Sequence, residues 1–599
     1  MTEKPDMNWD DGSWRPETHE DSGTAASDHA TPLLEIRDLA VTYRTRRGGV
    51  PAVKDVSLTV ERGKVTAIVG ESGSGKSTSA MATLGLLPGN AEVSGTIKLD
   101  GRSITGLSER EWRSIRGTRI GLIPQDPNNS LNPVKTIGAS VGEGLRIAPK
   151  AVRLSASARK KKVLDLLEQV GIDNPEVRYD QYPHQLSGGM KQRALIAAAV
   201  ATEPELIIAD EPTSALDVTV QRTILDLLDR MRTELDLGIL FITHDLAVAG
   251  DRADRLVVMQ GGEVKEHGPT DRILTDPHDP YTRRLLSDAP SLVSAVEQST
   301  YRPGPAPDAT ALLTVDTLRR EFGGGDDPFV AVDDVSFTVA AGTTHAIVGE
   351  SGSGKSTLAR MITAFQEPTS GTVTLAGVAG GAGDTGDTAD AADLRIDEFG
   401  TFSKAGRRDL RRRVQMVYQN PFSSLDPRQT VGKILAEPLR NLTDLSKTQI
   451  SEKVEAILDR VALGSGAGSV SGDVAQRRPA ELSGGQRQRV AIARALILDP
   501  ELVVLDEAVS ALDVTVQAQI LSLLDELQRD LGLTYLFISH DLSVVREISD
   551  TVTVMSHGRQ VESGLTSEIF EHPQDAFTKK LLDAIPGHRY RSGGLNLGL

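Results

Sequence analysis

Nine residues, GESGSGKST, occur at Gly70–Thr78 and again, letter for letter, at Gly349–Thr357. Short apolar runs, Val65–Val69 and His345–Val348, lead straight into the two copies. Strand, GxxxxGK[ST], helix is the context a phosphate-binding loop requires, because a glycine-rich turn that opens a helix aims successive backbone N–H groups at one anion. The helix dipole adds to the attraction. Gly70, Ser72, Gly73, Gly75 and Thr78 form one cradle, and Gly349, Ser351, Gly352, Gly354 and Thr357 form the other. Lys76 and Lys355 would reach the β- and γ-phosphates, and the neighbouring hydroxyls of Ser77 and Ser356 would ligate Mg²⁺. The chain therefore folds as two nucleotide-binding units, each with its own ATP site.

The duplication extends well beyond the loops, since a repeated domain keeps its motifs in order at nearly fixed spacing. Lys76 and Lys355 are 279 positions apart and Gln125 and Gln419 are 294 apart, while Ser187/Ser483, Glu211/Glu507 and His244/His540 are all 296 apart. The jump of 15 places an insertion in the second copy at about 377–405, where large apolar residues are scarce, and predicts a mobile surface loop. Alternating patterns at Leu34–Arg44, Ala52–Val60 and Val330–Val339 predict half-buried strands. Helical periodicity marks Lys162–Val170 and Val454–Val461, and LSGG opens helices at Lys191–Ala201 and Arg487–Leu498. Strands at Leu206–Ala209 and Leu502–Leu505 precede Asp-Glu, and strands at Ile239–Thr243 and Tyr535–Ser539 precede His-Asp. This alternation predicts a mainly parallel α/β sheet with ligands at the carboxyl ends of its strands.

Within 599 residues the predicted division is an acidic disordered tail over 1–31, a first domain over 32–287, a proline-rich linker over 288–310, a second domain over 311–586 and a tail over 587–599. The tail lacks the basic start and apolar run of a secretory signal, and no stretch approaches the ~18 apolar residues of a membrane span. With no cysteine, the chain holds neither disulfides nor thiolate zinc, and no cysteine-bound iron–sulfur cluster. A net charge of −17 argues against broad nucleic-acid binding.

Phosphate loop, lone Gln, LSGG, Asp-Glu, SALD and His, in that order and twice over, closely resemble the nucleotide-binding domains of ATP-binding cassette (ABC) proteins. QDPNNSLNP (Gln125–Pro133), QNPFSSLDP (Gln419–Pro427) and HDPYTRRLL (His278–Leu286), with a weaker echo at HPQDAFTKKLL (His572–Leu582), narrow the resemblance to the dipeptide/oligopeptide/nickel importer ATPases. It implies two tandem domains, each with a P-loop α/β core, an antiparallel β subdomain and a helical subdomain.

The resemblance also implies roles. Asp210 and Asp506 would hold Mg²⁺ through its water shell, Glu211 and Glu507 would orient the attacking water, and His244 and His540 would contact the γ-phosphate. Because successive strand residues point to opposite sides, Asp210 and Glu211 are expected to do different jobs. Gln125 and Gln419 would touch both metal and membrane partner. Tyr43 and Phe322, each 27 positions before its loop, are candidates to stack on adenine. Ser187, Gly188 and Gly189, with Ser483, Gly484, Gly485 and Gln486, would each complete the ATP site of the opposite domain, with Asp217 and Asp513 along the shared seam. Met190 departs from the usual Gln after LSGG, and Ala508-Val509 from the Pro-Thr at 212–213. Two hydrolytic sites of unequal rate are the expectation.

The implied activity is an ATPase that energises import of peptides or related small solutes from the cytoplasmic face of the cell membrane. Its implied partners are two transmembrane permease subunits and an extracytoplasmic solute-binding protein. A soluble twin cassette acting on ribosomes and a fused sugar-importer ATPase are the alternatives, the first disfavoured by the short proline-rich linker and the second by two complete sets of catalytic residues.

Overall fold

In the computed structural model the described residues are 31–46, 48–147, 154–213, 216–289, 301–306, 309–323, 328–377, 393–420, 424–464, 474–510 and 512–587. The predicted acidic tail up to residue 30, the centre of the insertion, the first part of the linker and the last twelve residues lie outside them.

The first half contributes β1 (Leu34–Thr45), β2 (Gly48–Val60), β3 (Val65–Val69), β4 (Ala91–Leu99), β5 (Arg102–Ser103), β6 (Ile120–Ile123), β7 (Leu206–Asp210), β8 (Gly238–Ile242), β9 (Arg255–Gln260) and β10 (Glu263–Pro269). These strands form an antiparallel sheet ordered β2-β1-β4-β5 and a core sheet ordered β10-β9-β3-β8-β7-β6. In the core sheet β3 pairs in parallel with both β8 and β9, and only the β9–β10 edge is antiparallel. The second half repeats both sheets with β11 (Ala311–Phe322), β12 (Phe329–Ala340), β13 (Thr344–Gly349), β14 (Ser370–Leu375), β15 (Leu394–Arg395), β16 (Val414–Val417), β17 (Leu502–Asp506), β18 (Thr534–Ile538), β19 (Thr551–Ser556) and β20 (Arg559–Leu565).

The central core strands are mostly apolar because both faces of the sheet are covered. Along β3, Val65, Ala67 and Val69 face a core shared with the helices Ala156–Gln169, Gly188–Val200 and Val218–Leu235. Ile68 points the other way, into the core that joins this sheet to the antiparallel one. In β13, Ala346 and Val348 face the helical side and Ile347 the other, so the pleat is repeated residue for residue.

The insertion lies in a hairpin turn. In the first half β4 and β5 are joined by Asp100-Gly101, with Leu99 opposite Arg102, whereas Leu375 and Leu394 face each other across the far longer connection of the second half. The predicted loop up to about residue 405 is too long: from Leu394 the chain forms β15, a 3-10 turn at Ile396–Thr401 and a helix at Lys404–Arg413, because Ile396 and Leu410 are buried in the core. The predicted linker is likewise anchored at its far end. Arg302 donates to Gln528 Oε1 at 2.7 Å and to Asp525 at 2.5 Å, and the Arg546 guanidinium lies 5.0 Å from the Tyr301 ring centroid.

Core residues also differ in chemistry between the halves. His345, on β13, occupies the place of Thr66 and is 2% exposed; it stacks on Phe337 at 4.6 Å and bonds Thr551 and Thr553 through its two ring nitrogens. Burial pushes its pKa down from 6.5 to about 3. An imidazole held neutral in the fold binds its proton first in the unfolded chain, so its contribution is complete above pH 6.5 and drains as pH falls towards 3. The melting temperature should therefore fall less steeply between pH 6.5 and 4.5 in His345→Thr than in the parent, as thermal denaturation followed by circular dichroism would record.

Candidate functional site

The two glycine loops are superimposable in conformation because backbone crowding dictates them. Gly70 and Gly349 have φ of 147° and 149°, and a Cβ on either would come within 2.1 Å of the Met259 or Met555 carbonyl oxygen. Gly75 and Gly354 cap the following helices at φ of 100° and 101°. Lys76 Nζ donates to the Gly70 and Glu71 carbonyls at 2.7 and 2.8 Å, and Lys355 Nζ makes the same pair of bonds to Gly349 and Glu350. Burial lowers the pKa of both ammonium groups, against the raising effect of acidic neighbours: chiefly Glu211 and Asp513 for Lys76, and Asp217 and Glu507 for Lys355. Asp513 belongs to the opposite half from Lys76, and Asp217 to the opposite half from Lys355.

Ser77 Oγ donates to Asp210 Oδ1 at 3.0 Å, and Ser356 Oγ to Asp506 at 3.4 Å. Burial raises the pKa of both aspartates, partly offset by these hydroxyls. A hydroxyl beside a carboxylate at a strand end, next to a phosphate cradle, is a donor set that suits Mg²⁺, which takes few protein ligands and keeps its waters. The next residue differs from the sequence expectation. Glu211 and Glu507 do not continue the strand pleat: their φ values are 45° and 48°, left-handed for a non-glycine residue, and this turn rather than strand alternation separates them from the aspartates.

Each glutamate is gripped twice. Gln125 Nε2 donates to Glu211 Oε2 at 2.8 Å and His244 Nδ1 lies 3.3 Å from the same oxygen. In the second half Gln419 Nε2 donates to Glu507 Oε2 at 2.6 Å and His540 Nδ1 is 3.3 Å from Oε1. Burial alone would raise the carboxylate pKa, but the bond and charge of the histidine, the lysine and the glutamine amide together bring it below 4.5. The histidines are raised above 6.5 despite burial, because the glutamate bonds and attracts the imidazolium. With the glutamines' nitrogens committed to the glutamates, their amide oxygens are the atoms suited to a cation.

The halves meet head to tail. A cavity of about 1090 Å³ brings Lys76, Ser77, Gln125, Glu211 and His244 of one half against Gly484, Ser510 and Asp513 of the other. Asp513 Oδ2 accepts from the Ser72 N–H at 3.4 Å, so the SALD aspartate of the second half touches the first phosphate loop. Thr219 Oγ1 donates to Glu350 Oε1 at 2.7 Å across the second site, and Arg222 reaches the Asp583 carbonyl at 2.7 Å. Val218 and Val514 are exchanged: Val218 packs in the core of the second half and Val514 in the core of the first. This exchange was not legible in the sequence.

Ser187 and Ser483 cap the helices Gly188–Val200 and Gly484–Leu496, accepting from the amides of Met190 and Gln486 at 3.3 Å each. Gln486 returns a bond through Oε1 to the Ser483 N–H at 3.0 Å, which Met190 has no atom to supply. Gly189 and Gly485 lie against Val220 and Val516. The two proposed adenine partners differ from each other: Tyr43 is partly buried against the antiparallel-sheet core, while Phe322 is exposed beneath the Arg320 guanidinium at 4.9 Å. Ala52, two residues beyond Tyr43's strand partner Val50, lines the cavity.

Further residues were missed, a pair of glutamates and one tyrosine. Buried Glu266 accepts from the amides of His278 and Asp279 and from Arg272, fixing the start of the HDPY segment, and Glu562 holds Gln574 and Asp575 likewise. The tyrosine is Tyr281, whose hydroxyl accepts from the Glu71 N–H in the first phosphate loop at 3.2 Å. The signal for it was the HDPYTRRLL string itself.

Two polyphosphate cradles, each with a Ser–Asp pair and a Glu held by Gln and His, facing one another across a shared cavity, define a twin-cassette ATPase. Residues 53–214 and 332–510 match the ABC transporter family, and residues 265–314 match the Oligopeptide/dipeptide transporter, C-terminal region. The chain belongs to the ABC transporter ATPases. It is 39% identical to the Oligopeptide transport ATP-binding protein OppD of Mycobacterium tuberculosis, over 93% of this chain and 98% of that one. It is 42% identical to the Peptidoglycan transport ATP-binding protein YejF of Agrobacterium fabrum, over 92% and 96% of the two chains. With the Glutathione import ATP-binding protein GsiA of Escherichia coli the identity is 40%, over 92% and 89%.

The exchanged valines give a test of the seam. Val514→Asp puts a carboxylate into the apolar core of the opposite half, at a cost of several kcal/mol if it stays charged. ATPase activity should fall more than tenfold while each half still binds nucleotide, measured by steady-state hydrolysis and by filter binding.

Proposed function

We propose that this chain is the energising subunit of an importer for di- or oligopeptides or related small solutes. It would work from the cytoplasmic face of the cell membrane, bound to two permease subunits and supplied by an extracytoplasmic solute-binding protein. The reading is supported by relatives named for oligopeptide, peptidoglycan and glutathione transport and by the matched peptide-transporter segment. Among the described residues no helix is long and apolar enough to cross a membrane, so translocation would be the work of partner subunits.

One observation carries the mechanism: the first phosphate loop and the second half's LSGG and SALD segments wall the same cavity. ATP in the first site would lie between Lys76 and the Ser483–Gly485 helix start, and ATP in the second between Lys355 and Ser187–Gly189. Each triphosphate would thus draw both halves together. Mg²⁺, held at Ser77 with Asp210 and at Ser356 with Asp506, would neutralise phosphate charge. Glu211 and Glu507, ionised and clamped by His and Gln, would orient the attacking water, and the histidines would steady the γ-phosphate. Loss of phosphate weakens the bridge and opens the seam, while the covalent connection holds the halves at an effective concentration on the order of mM. Gln125 and Gln419, bonded to these glutamates, would transmit the change to the permeases.

Replacing Glu211 and Glu507 by Gln one at a time is expected to cut hydrolysis by at least tenfold in each case, with unequal residual rates because Met190 and Ala508-Val509 make the sites dissimilar. A variant that retains full ATPase and transport identifies a non-catalytic site. The transport reading is tested in proteoliposomes with the co-purified membrane subunits: uptake of labelled dipeptides or glutathione should require ATP, and an absence of membrane partners or of any such uptake refutes it.

A further inference from the structure

The two ATP sites differ in a way that the nucleotide motifs do not reveal. In the first half the helix Pro280–Ser287 starts from Asp279, which caps the Tyr281 amide at 2.7 Å and is itself fixed through buried Glu266. Tyr281 is 9% exposed, and its hydroxyl accepts from the backbone N–H of Glu71, the second residue of the first phosphate loop. The next N–H, that of Ser72, donates to Asp513 of the opposite half. Two consecutive amides at the entrance of one loop are therefore held from two directions, by the loop's own half and by its neighbour.

The second half repeats the backbone bonds of this scaffold. Asp575 caps Phe577 at 2.7 Å, and Glu562 anchors Gln574 and Asp575 as Glu266 anchors its own pair. The aromatic position alone loses its oxygen: Phe577 stands where Tyr281 stands, with no atom to accept from an amide. Glu350, the counterpart of Glu71, is instead tied through its side chain to Thr219 of the first half. Burial, opposed by the Glu71 amide bond, pushes the Tyr281 pKa to about 12, so the hydroxyl stays protonated and neutral at every working pH.

We propose that Tyr281 is a positioning residue for the first ATP site: by bonding the Glu71 amide it fixes the entrance of that phosphate loop and gives the first site a higher nucleotide affinity than the second. This rests on the reading of Lys76 and its loop as an ATP site and adds the asymmetry. The physical case is the pairing rule for backbone donors, applied to an amide in a part-buried bond. A loop amide left without an acceptor is free to rotate its peptide plane, and the neighbouring Gly70 and Gly73, at φ of 147° and 79°, offer little resistance. One hydrogen bond of this kind corresponds to roughly 2- to 10-fold in affinity. The same bond links the loop to the segment that enters the interdomain connection, since Ala289, two residues beyond the helix, packs in the first half's core.

The test uses the full-length chain and a photoreactive ATP analogue, with mass spectrometry assigning the label to each half over a nucleotide titration. Tyr281→Phe, which installs the second half's own residue, should weaken labelling of the first half by roughly 2- to 10-fold, leave the second half within twofold, and raise the KM for ATP more than it lowers kcat. The second half serves as an internal control for folding, and an unchanged melting temperature checks it independently. Equal weakening in both halves, or no change in the first, overturns the proposal. Lys76→Ala in parallel must abolish label in the first half; if label persists there, the assignment of that loop as an ATP site falls, and the role of Tyr281 with it.

Discussion

The structure depends on a seam at which each half lends the other the residues it lacks. Asp513 meets the amide of Ser72, Thr219 meets Glu350, and Val218 and Val514 are buried in each other's cores. Burying a valine contributes roughly 1.5–3 kcal/mol, and a hydrogen bond to a carboxylate, as at Asp513 and Glu350, contributes a similar amount, so apolar and polar contacts both hold the seam. The polar contacts end on the phosphate loops, at Ser72 and Glu350.

Charge within each site is arranged so that adjacent carboxylates behave oppositely. Burial raises the pKa of Asp210, while the combined pull of His244, Lys76 and Gln125 overcomes burial at Glu211 and lowers it. Two acids one residue apart diverge because Glu211 takes a left-handed turn away from the strand and into the histidine's reach. The same turn recurs at Glu507. A strained backbone repeated at both sites is conformational energy kept in place by the surrounding structure, and it brings each carboxylate within reach of its histidine and glutamine.

The halves are copies in architecture and individuals in detail. Gln486 closes a reciprocal cap on Ser483 that Met190 cannot close on Ser187. Ala508 and Val509 are buried where the first half has Pro212 and Thr213. His345 takes the place of Thr66, and the long hairpin connection after β14 replaces a two-residue turn. None of these disturbs the lysine, aspartate, glutamate and histidine of either site. The differences lie around these residues, at caps, turns and core positions.

The duplicated strings, their order and their near-constant spacing pointed to two α/β units and to the glycine loops, because each rests on local chemistry: a glycine that must turn, an apolar run that must be covered. The head-to-tail scheme came only from the family resemblance. The long hairpin connection was legible as a jump in spacing, but its end was placed too late, since burial of Ile396 and Leu410 is a tertiary fact. The separation of Asp210 from Glu211 was anticipated for the wrong reason, strand alternation standing in for a backbone turn that only the surrounding contacts enforce. Tyr281, Glu266, the exchanged valines and Thr219 carried no signal of their partners. Their partners lie across long stretches of chain or in the opposite half, and such pairings are decided only when two folded surfaces meet.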